Sequence, residues 1–162
     1  NGNDAVDSNY GRSGAITIAG GNIFAYTTKG SPEEGLDCDN NSYIIVKGGI
    51  AISAGGAQGG GASGSIGSAS QGYYLGSSPS SYNSTYYYTL CSTTGTPICT
   101  YKFGANCSNN LSLLTAPNLG KGSATVKYGT SKPTSCSESA GDVFFISPTV
   151  TTNGTTANVT AK

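Results

Sequence analysis

Short runs of aliphatic residues recur in the N-terminal part of the chain, each followed by a pair of glycines. AITIAGGNIFAY (15–26) aligns with YIIVKGGIAISA (43–54) at a spacing of twenty-eight residues. The matched positions are Ile16 with Ile44, Ile18 with Val46, Phe24 with Ile52, and Gly20-Gly21 with Gly48-Gly49. The runs are rich in β-branched residues, which favour β-strands. The pattern predicts two copies of one unit, a strand, a glycine corner and a second short strand.

An acidic turn precedes each copy of this unit. NDAVDSN (3–9) aligns with EEGLDCD (33–39) at a spacing of thirty residues. The matches pair Asp4 with Glu34, Val6 with Leu36, Asp7 with Asp37, and Asn9 with Asp39. One such unit has no second layer to cover its apolar side chains, so the units are expected to stack. The sequence therefore predicts an all-β fold, a right-handed parallel β-helix (solenoid). The runner-up is an antiparallel β-sandwich, because short strands separated by turns also suit that fold.

The rest of the chain changes character after Gly55. Residues 1–56 are predicted to form the β-helix coils, 57–89 a Gly-, Ser- and Tyr-rich coil or loop, and 90–162 a hairpin with further strands. The hairpin is expected over Tyr87–Phe103, so it begins just before the last segment, and strands are expected to follow in LSLLTAP, SATVKYG and DVFFISPTV. These antiparallel strands would cap the open end of the solenoid. All three segments are expected to form one domain.

Stacking would place the two acidic turns one strand spacing apart, about 4.8 Å. Half of the eight acidic residues of the chain lie between Glu33 and Asn41. Carboxylates this close repel each other unless a cation lies among them. Calcium suits the donors, since it takes six to eight oxygen ligands. The predicted metal positions are Asp4, Asp7, Asn9, Glu34, Asp37 and Asp39. The alternative is an ordinary solvated turn, in which Asp and Asn bond the local backbone.

Composition narrows the range of functions. The 162 residues include no Met, Trp or His, and the formal net charge is zero. The eight basic residues are scattered singly, so no basic surface for nucleic acid is predicted. No apolar run approaches the ~20 residues of a membrane span, so no membrane insertion is expected. The chain starts at Asn1 without a signal sequence, and we expect a mature or N-terminally trimmed part of an exported protein.

Tyrosines and cysteines supply the remaining candidate chemistry. Six of the eleven tyrosines lie between Tyr73 and Tyr88. Tyrosine rings are most often packing residues with solvated hydroxyls, but an exposed ring can stack on a sugar. The candidate sugar contacts are Tyr73, Tyr74, Tyr82 and Tyr86. The five cysteines include no Cys-x-x-Cys pair and the chain has no histidine, so no zinc site is predicted. Cys91 and Cys99 flank the turn of the predicted hairpin, where they either form a disulfide or remain thiols.

The order of these segments resembles a family of exported bacterial carbohydrate-binding proteins. The resemblance is carried by the two acidic turns with their strands, by the Gly/Ala/Ser-rich break, and by YTLCSTTGTPICTYKF and SLLTAPNLGKGSATVKYG, over about residues 3 to 129. It implies a right-handed parallel β-helix similar to polysaccharide lyases, with calcium held by the acidic turns. It also implies binding of a polysaccharide such as cellulose or pectin, outside the cytoplasm or at the cell surface. This chain departs from the family in having only two acidic units and in its C-terminal cysteines.

Two other function classes compete with a carbohydrate-binding module. A polysaccharide lyase would need a basic residue near the metal to take a proton, and Arg12, Lys29 and Lys47 are the only basic residues close to the acidic turns in sequence. No nucleophile motif or dedicated carboxylate pair for glycoside hydrolysis is present, so no enzyme activity is predicted. A surface adhesin or structural stalk, with calcium that only stiffens the coils, is the third class.

Overall fold

The chain forms β-strands and connecting segments throughout the residues that the computed structural model describes, which are 5–8, 16–28, 33–38, 43–55, 66–107, 111–150 and 154–162. The strands in these ranges are β1 (Val6–Ser8), β2 (Ile16–Ile18), β3 (Asn22–Tyr26), β4 (Leu36–Cys38), β5 (Ile44–Val46), β6 (Ile50–Gly55), β7 (Ile66–Ala69), β8 (Tyr73–Gly76), β9 (Tyr87–Cys91), β10 (Pro97–Tyr101), β11 (Leu111–Thr115), β12 (Gly122–Gly129), β13 (Glu138–Ala140), β14 (Phe144–Ile146) and β15 (Thr155–Ala161). The predicted all-β class is confirmed. No helix in the described ranges is long and apolar enough to cross a membrane.

The first two units stack in parallel, in the register that the repeat predicts. β1 pairs with β4, β2 with β5, and β3 with β6. The partners are those of the sequence alignment, including Val6 with Leu36, Ile16 with Ile44, Ile18 with Val46 and Phe24 with Ile52. Equivalent side chains on adjacent parallel strands point to the same face, so the aliphatic residues form columns across the two units.

The glycine pairs lie where one unit turns closely over the next. Gly49 has a φ of +89°, which L side chains rarely adopt. A Cβ on Gly49 would lie 2.6 Å from backbone atoms of Gly20 and Gly21. The Ile50 amide donates to the Gly21 carbonyl across this corner. The predicted superposition of the two glycine corners is therefore confirmed.

The parallel arrangement does not continue into a closed solenoid within the described residues. β11 pairs with β6 in the antiparallel sense and β8 pairs with β11, which gives a mixed sheet in the order β3-β6-β11-β8. β11 thus occupies the edge of β6 where a third parallel strand would otherwise pair. A third sheet, β2-β5-β7, is parallel, and its strand β7 lies in the Gly-rich stretch that the sequence predicted to be a loop.

The β3-β6-β11-β8 sheet, hereafter the central sheet, is buried on both faces. On one face Ile52 and Leu114 pack in an apolar cluster with residues of β9, β10, β12 and β15. On the other face Ala51 and Leu113 pack in a second cluster with Ile18, Ile44 and Leu36. The fold is therefore layered, with the small sheets β1-β4 and β2-β5-β7 on one side of the central sheet and a larger sheet on the other.

The larger sheet is six-stranded, in the order β13-β14-β10-β9-β12-β15, and every pairing in it is antiparallel. Its β9–β10 hairpin is the one predicted over Tyr87–Phe103, and β11, β12 and β14 fall in the predicted C-terminal strand segments. These strands bury large aromatic side chains, among them Tyr88, Tyr101 and Phe144. The expectation of antiparallel strands in the C-terminal part is confirmed.

The stacking of the two units can be tested with one repeat position. Ile44 is 2% exposed and lies between Ile16 and Ile66 on the neighbouring strands, whereas Ile16 is half-buried on an edge strand. We expect Ile44→Ala to lower the free energy of unfolding by about 2–4 kcal/mol, because it leaves a cavity inside the column. Ile16→Ala is the matched control, with an expected loss of roughly half that or less. Urea unfolding of both variants measures the difference. Equal losses of stability in the two variants would contradict the position of Ile16 on an edge strand, outside the interior of the column.

Candidate functional site

The strongest candidate site is a groove between the end of the six-stranded sheet and the segment 77–83 that follows β8. Its main cavity has a volume of about 570 Å³. It is lined by Ser77, Ser78, Pro79, Ser80, Ser81, Asn83, Tyr86, Tyr88, Tyr128, Thr155 and Ala157. A neighbouring cavity of about 310 Å³ is lined by Tyr86, Tyr128, Gly129, Thr130, Ser131, Gly154 and Thr155. Both volumes fall in the range of small-molecule sites.

Strand register places one row of side chains at the base of this groove. Tyr128 of β12 is paired with Tyr88 of β9 on one side and with Thr155 of β15 on the other. Directly paired residues of antiparallel strands point to the same face, so these three side chains lie side by side. Tyr88 and Val126 of this face belong to the core, which identifies it as the inner face of the sheet. The groove is thus the place where the inner face meets solvent.

The tyrosines of the groove form a supported stack. The ring of Tyr128 is stacked on Tyr88 at 5.2 Å between centroids, and Tyr88 is stacked on Tyr101 at 5.7 Å. Tyr86 approaches Tyr128 with centroids 5.9 Å apart and ring planes 34° from parallel. Tyr88 and Tyr101 are almost fully buried, whereas Tyr86 and Tyr128 are half-buried. A ring held from behind by other rings loses little conformational entropy when a ligand covers its open face.

Asn83 is fixed at the rim of the groove by its own turn. Its Oδ1 accepts hydrogen bonds from the amide and the hydroxyl of Thr85, both at 2.8 Å. Its backbone amide donates to the Tyr88 hydroxyl at 2.6 Å. The side-chain NH₂ of Asn83 therefore supplies the donors that remain for a ligand.

Among the described residues, the lining of the two cavities carries no charged side chain. It combines aromatic rings with the hydroxyl groups of serine, threonine and tyrosine and with one amide. Such a lining suits a ligand that presents apolar faces and many hydroxyls, and it offers no counter-ion to a carboxylate or phosphate.

Of the four tyrosines predicted to contact sugar, only Tyr86 lies in the groove. Tyr82 is 1% exposed and its hydroxyl lies 2.6 Å from Ser112 Oγ, so it is a core residue and has no face for a ligand. Tyr73 and Tyr74 lie next to each other on β8 and pack against opposite faces of the central sheet. The Tyr74 hydroxyl accepts a hydrogen bond from the Ser78 amide at 2.9 Å, which anchors the start of the 77–83 segment.

Tyr128 lines the groove and is not among the candidate sugar contacts that the sequence predicts. The alternation of Ala124, Val126 and Tyr128 in SATVKYG indicates that the three share a face. That signal shows Tyr128 to be on the apolar side of its strand. It does not show that Tyr88 and Tyr86 are its neighbours, because that depends on how β9 and β12 pair.

The acidic turns are brought together where the structure describes them. Asp7 of β1 is paired with Asp37 of β4, so their backbones lie one strand spacing apart and their side chains leave the same face. Asp7 is exposed, Asp37 is 8% exposed and Glu34 is 2% exposed. The other three predicted metal positions, Asp4, Asn9 and Asp39, lie outside the described residues. No group of three or more His, Cys, Asp or Glu side chains suited to a metal occurs among the residues that are described.

Cys38 lies inside the apolar cluster that covers the parallel side of the central sheet, together with Leu36 of the same strand. Burial raises the pKa of its thiol, and the charges of Asp37, Asp7 and Glu34 raise it further. The thiol is therefore protonated at neutral pH.

Cys91 and Cys99 are free thiols in this structure. The hairpin has an irregularity near Ile98, so Cys99 is paired with Leu90 and Cys91 is paired with Pro97. Cys99 belongs to the core cluster with Leu90, whereas Cys91 lies one residue further along β9 and thus on the opposite face. The shift in register accounts for the absence of the bridge that the spacing around the turn had suggested.

Of the three basic residues close to the acidic turns in sequence, Lys47 is among the described residues. Lys47 follows β5 directly and is exposed, and its backbone amide donates to the Ile18 carbonyl. Arg12 and Lys29 lie outside the described residues. None of the residues that line the groove is a lysine or an arginine.

Comparison of the chain with known proteins identified no similar protein. The chain matches no protein-family model, no curated protein and no solved structure.

The buried tyrosines behind the groove predict a loss of stability at alkaline pH. Burial raises the pKa values of Tyr82, Tyr88 and Tyr101, so these phenols stay protonated in the folded state. A tyrosine in the unfolded chain ionises near pH 10. The folding stability that the raised pKa values contribute is therefore fully present below about pH 10 and is lost as the pH rises further. Denaturant unfolding at increasing pH should show this decline. Tyr82→Phe should make it shallower, and Tyr43→Phe, at an exposed position, should leave it unchanged.

Proposed function

We propose that the chain is a non-catalytic carbohydrate-binding module for a neutral polysaccharide, and that the Tyr86–Tyr128 groove is its binding site. The observation that carries the proposal is the combination of supported tyrosine rings with an uncharged lining of hydroxyls and one amide. Sugar rings have apolar faces and polar edges. Aromatic rings suit the faces, and serine, threonine and asparagine side chains suit the hydroxyl edges.

The charge of the lining favours a neutral glycan such as cellulose over pectin. Pectin carries carboxylates on its galacturonate units, and a buried or half-buried carboxylate needs a cation or several strong donors. No lysine or arginine lines either cavity. For the same reason we propose a binding role over a lyase role, because neither a basic residue nor a carboxylate pair lines the groove to move a proton.

We also propose that the two stacked units are coils of a right-handed parallel β-helix, capped by the antiparallel strands. Three parallel strand pairs in the predicted register support this reading. The antiparallel strand β11 at the edge of β6 is consistent with a cap. A structural or adhesive role for the same coils is the second candidate, supported by their stacking alone. Either role is expected at the cell surface or outside the cell.

We propose calcium as the ion of the acidic turns. Asp7 and Asp37 are in register on adjacent strands, where like charges repel, and a cation between them would relieve the repulsion. The donors are carboxylate oxygens, which fit a hard cation and not a soft one. Asp7, Glu34 and Asp37 would hold the ion, joined by Asp4, Asn9 and Asp39. Bound calcium would supply positive charge that joins the two units, and it would take no part in sugar chemistry.

The groove predicts which tyrosines matter for binding. Tyr128→Ala and Tyr86→Ala should each weaken binding of soluble cello-oligosaccharides about tenfold or more, because each removes a ring from the site. Tyr43→Ala is the matched control, since Tyr43 is 50% exposed and lies outside both cavities. Isothermal titration with neutral and galacturonate oligosaccharides measures the affinities. Equal affinity of all four proteins for the neutral glycan would place the site elsewhere.

The acidic turns predict stabilisation by calcium. Saturating calcium at about 100 times its Kd should add about 2.7 kcal/mol to the free energy of unfolding. Asp37→Asn should remove most of this gain, because it deletes one charge of the in-register pair. Asp142→Asn serves as the control, since Asp142 is exposed and pairs with Lys132. Thermal melts with calcium and with chelator make the comparison. No rise in Tm for the parent chain would rule out a calcium site that contributes to stability.

A further inference from the structure

The two cavities of the groove share a common boundary. Tyr86, Tyr128 and Thr155 line both of them, so the tyrosine pair stands between the larger and the smaller cavity. A ligand that fills both must pass over these rings. The groove therefore has binding space on two sides of its aromatic pair.

The two sides have different walls. The larger cavity is bounded by the side chains of the 77–83 segment, including Ser81 and Asn83. The smaller cavity is bounded by Gly129, Thr130, Ser131 and Gly154, so much of its wall is backbone and short side chains. A Cβ on Gly154 would collide with the Tyr128 carbonyl, which shows how closely the two chain segments approach there.

A site for the end of a sugar chain would need only one cavity next to the rings. Space on both sides instead suits a ligand that enters from one side and leaves on the other. The hydroxyl side chains also fall on both sides, with Ser81 in the larger cavity and Ser131 in the smaller one. Both residues are exposed, so their hydroxyls are available at the rim.

We propose that the groove binds the interior of an extended neutral glycan chain, which crosses the Tyr86–Tyr128 pair and occupies a sugar subsite in each cavity. The inference rests on the proposed carbohydrate-binding function and specifies its mode. Sugar units stack on the tyrosines at the centre, and units on either side contact the 77–83 segment and the 129–131 segment. Free ends of the chain are not required for recognition.

Affinity as a function of chain length tests this mode. Isothermal titration would use cello-oligosaccharides from the disaccharide to the hexasaccharide, with xylan and mannan oligosaccharides in parallel. If both cavities are used, the best-bound series should gain at least about tenfold in affinity between the disaccharide and the longer members. A reducing-end label on the longest member should leave its affinity unchanged.

A blocking substitution in each cavity separates the two subsites. Ser131→Arg fills the smaller cavity and Ser81→Arg fills the larger one, and both positions are exposed, so folding should be preserved. Each should abolish most of the gain from chain length while leaving disaccharide binding within about twofold. Ser123→Arg, at an exposed position that lines neither cavity, should keep the full gain.

The results of these titrations distinguish the extended-chain binding mode from the carbohydrate-binding function. If the affinity were the same for oligosaccharides of all lengths and Tyr128→Ala still weakened it, the extended-chain mode would be overturned and the carbohydrate-binding function would be kept. Loss of affinity on labelling the chain end would do the same. No binding of any neutral oligosaccharide by a folded protein would overturn both.

Discussion

Burial of the central sheet on both faces is the constraint on which the described structure depends. Its inner strands β6 and β11 carry small or branched side chains that are buried in two different clusters. One cluster attaches the parallel units and the other attaches the six-stranded sheet. Because the two clusters share these strands, a cavity in either one weakens the support of both layers.

Because the central sheet is buried on both faces, its buried polar side chains need hydrogen-bond partners. The Ser112 hydroxyl on β11 meets the Tyr82 hydroxyl, and the Thr115 hydroxyl donates to the Gly72 carbonyl while accepting from Gln71. Tyr82 in turn packs edge-on against Tyr88, whose other neighbours include Tyr128. The rings at the base of the groove are thus connected through packed side chains to the buried strand β11. Such support holds a binding surface in one geometry before a ligand arrives.

The repeat was the part of the fold that could be predicted residue by residue. Ile16 with Ile44 and Asp7 with Asp37 were matched by sequence similarity alone, and stacked units place similar residues in register. The antiparallel partners had no such signal. The pairing of β11 with β6 joins segments nearly sixty residues apart that have no internal likeness, and Tyr128 with Tyr88 is a similar case. For the same reason the sequence did not indicate that Tyr82 is buried in the core, or that Tyr73 and Tyr74 pack against opposite faces of the central sheet.

By itself the sequence determined the β-strand class, the register of the two N-terminal units, their glycine corners and the approximate positions of the C-terminal strands. These features are local or periodic, so alternation, turn residues and repetition are enough to predict them. Only the tertiary structure decided which tyrosines are buried, that a bulge separates Cys91 from Cys99, and that a groove forms at one end of the six-stranded sheet. These depend on pairing between distant strands, and a change of one residue in register moves every side chain of a strand to its other face.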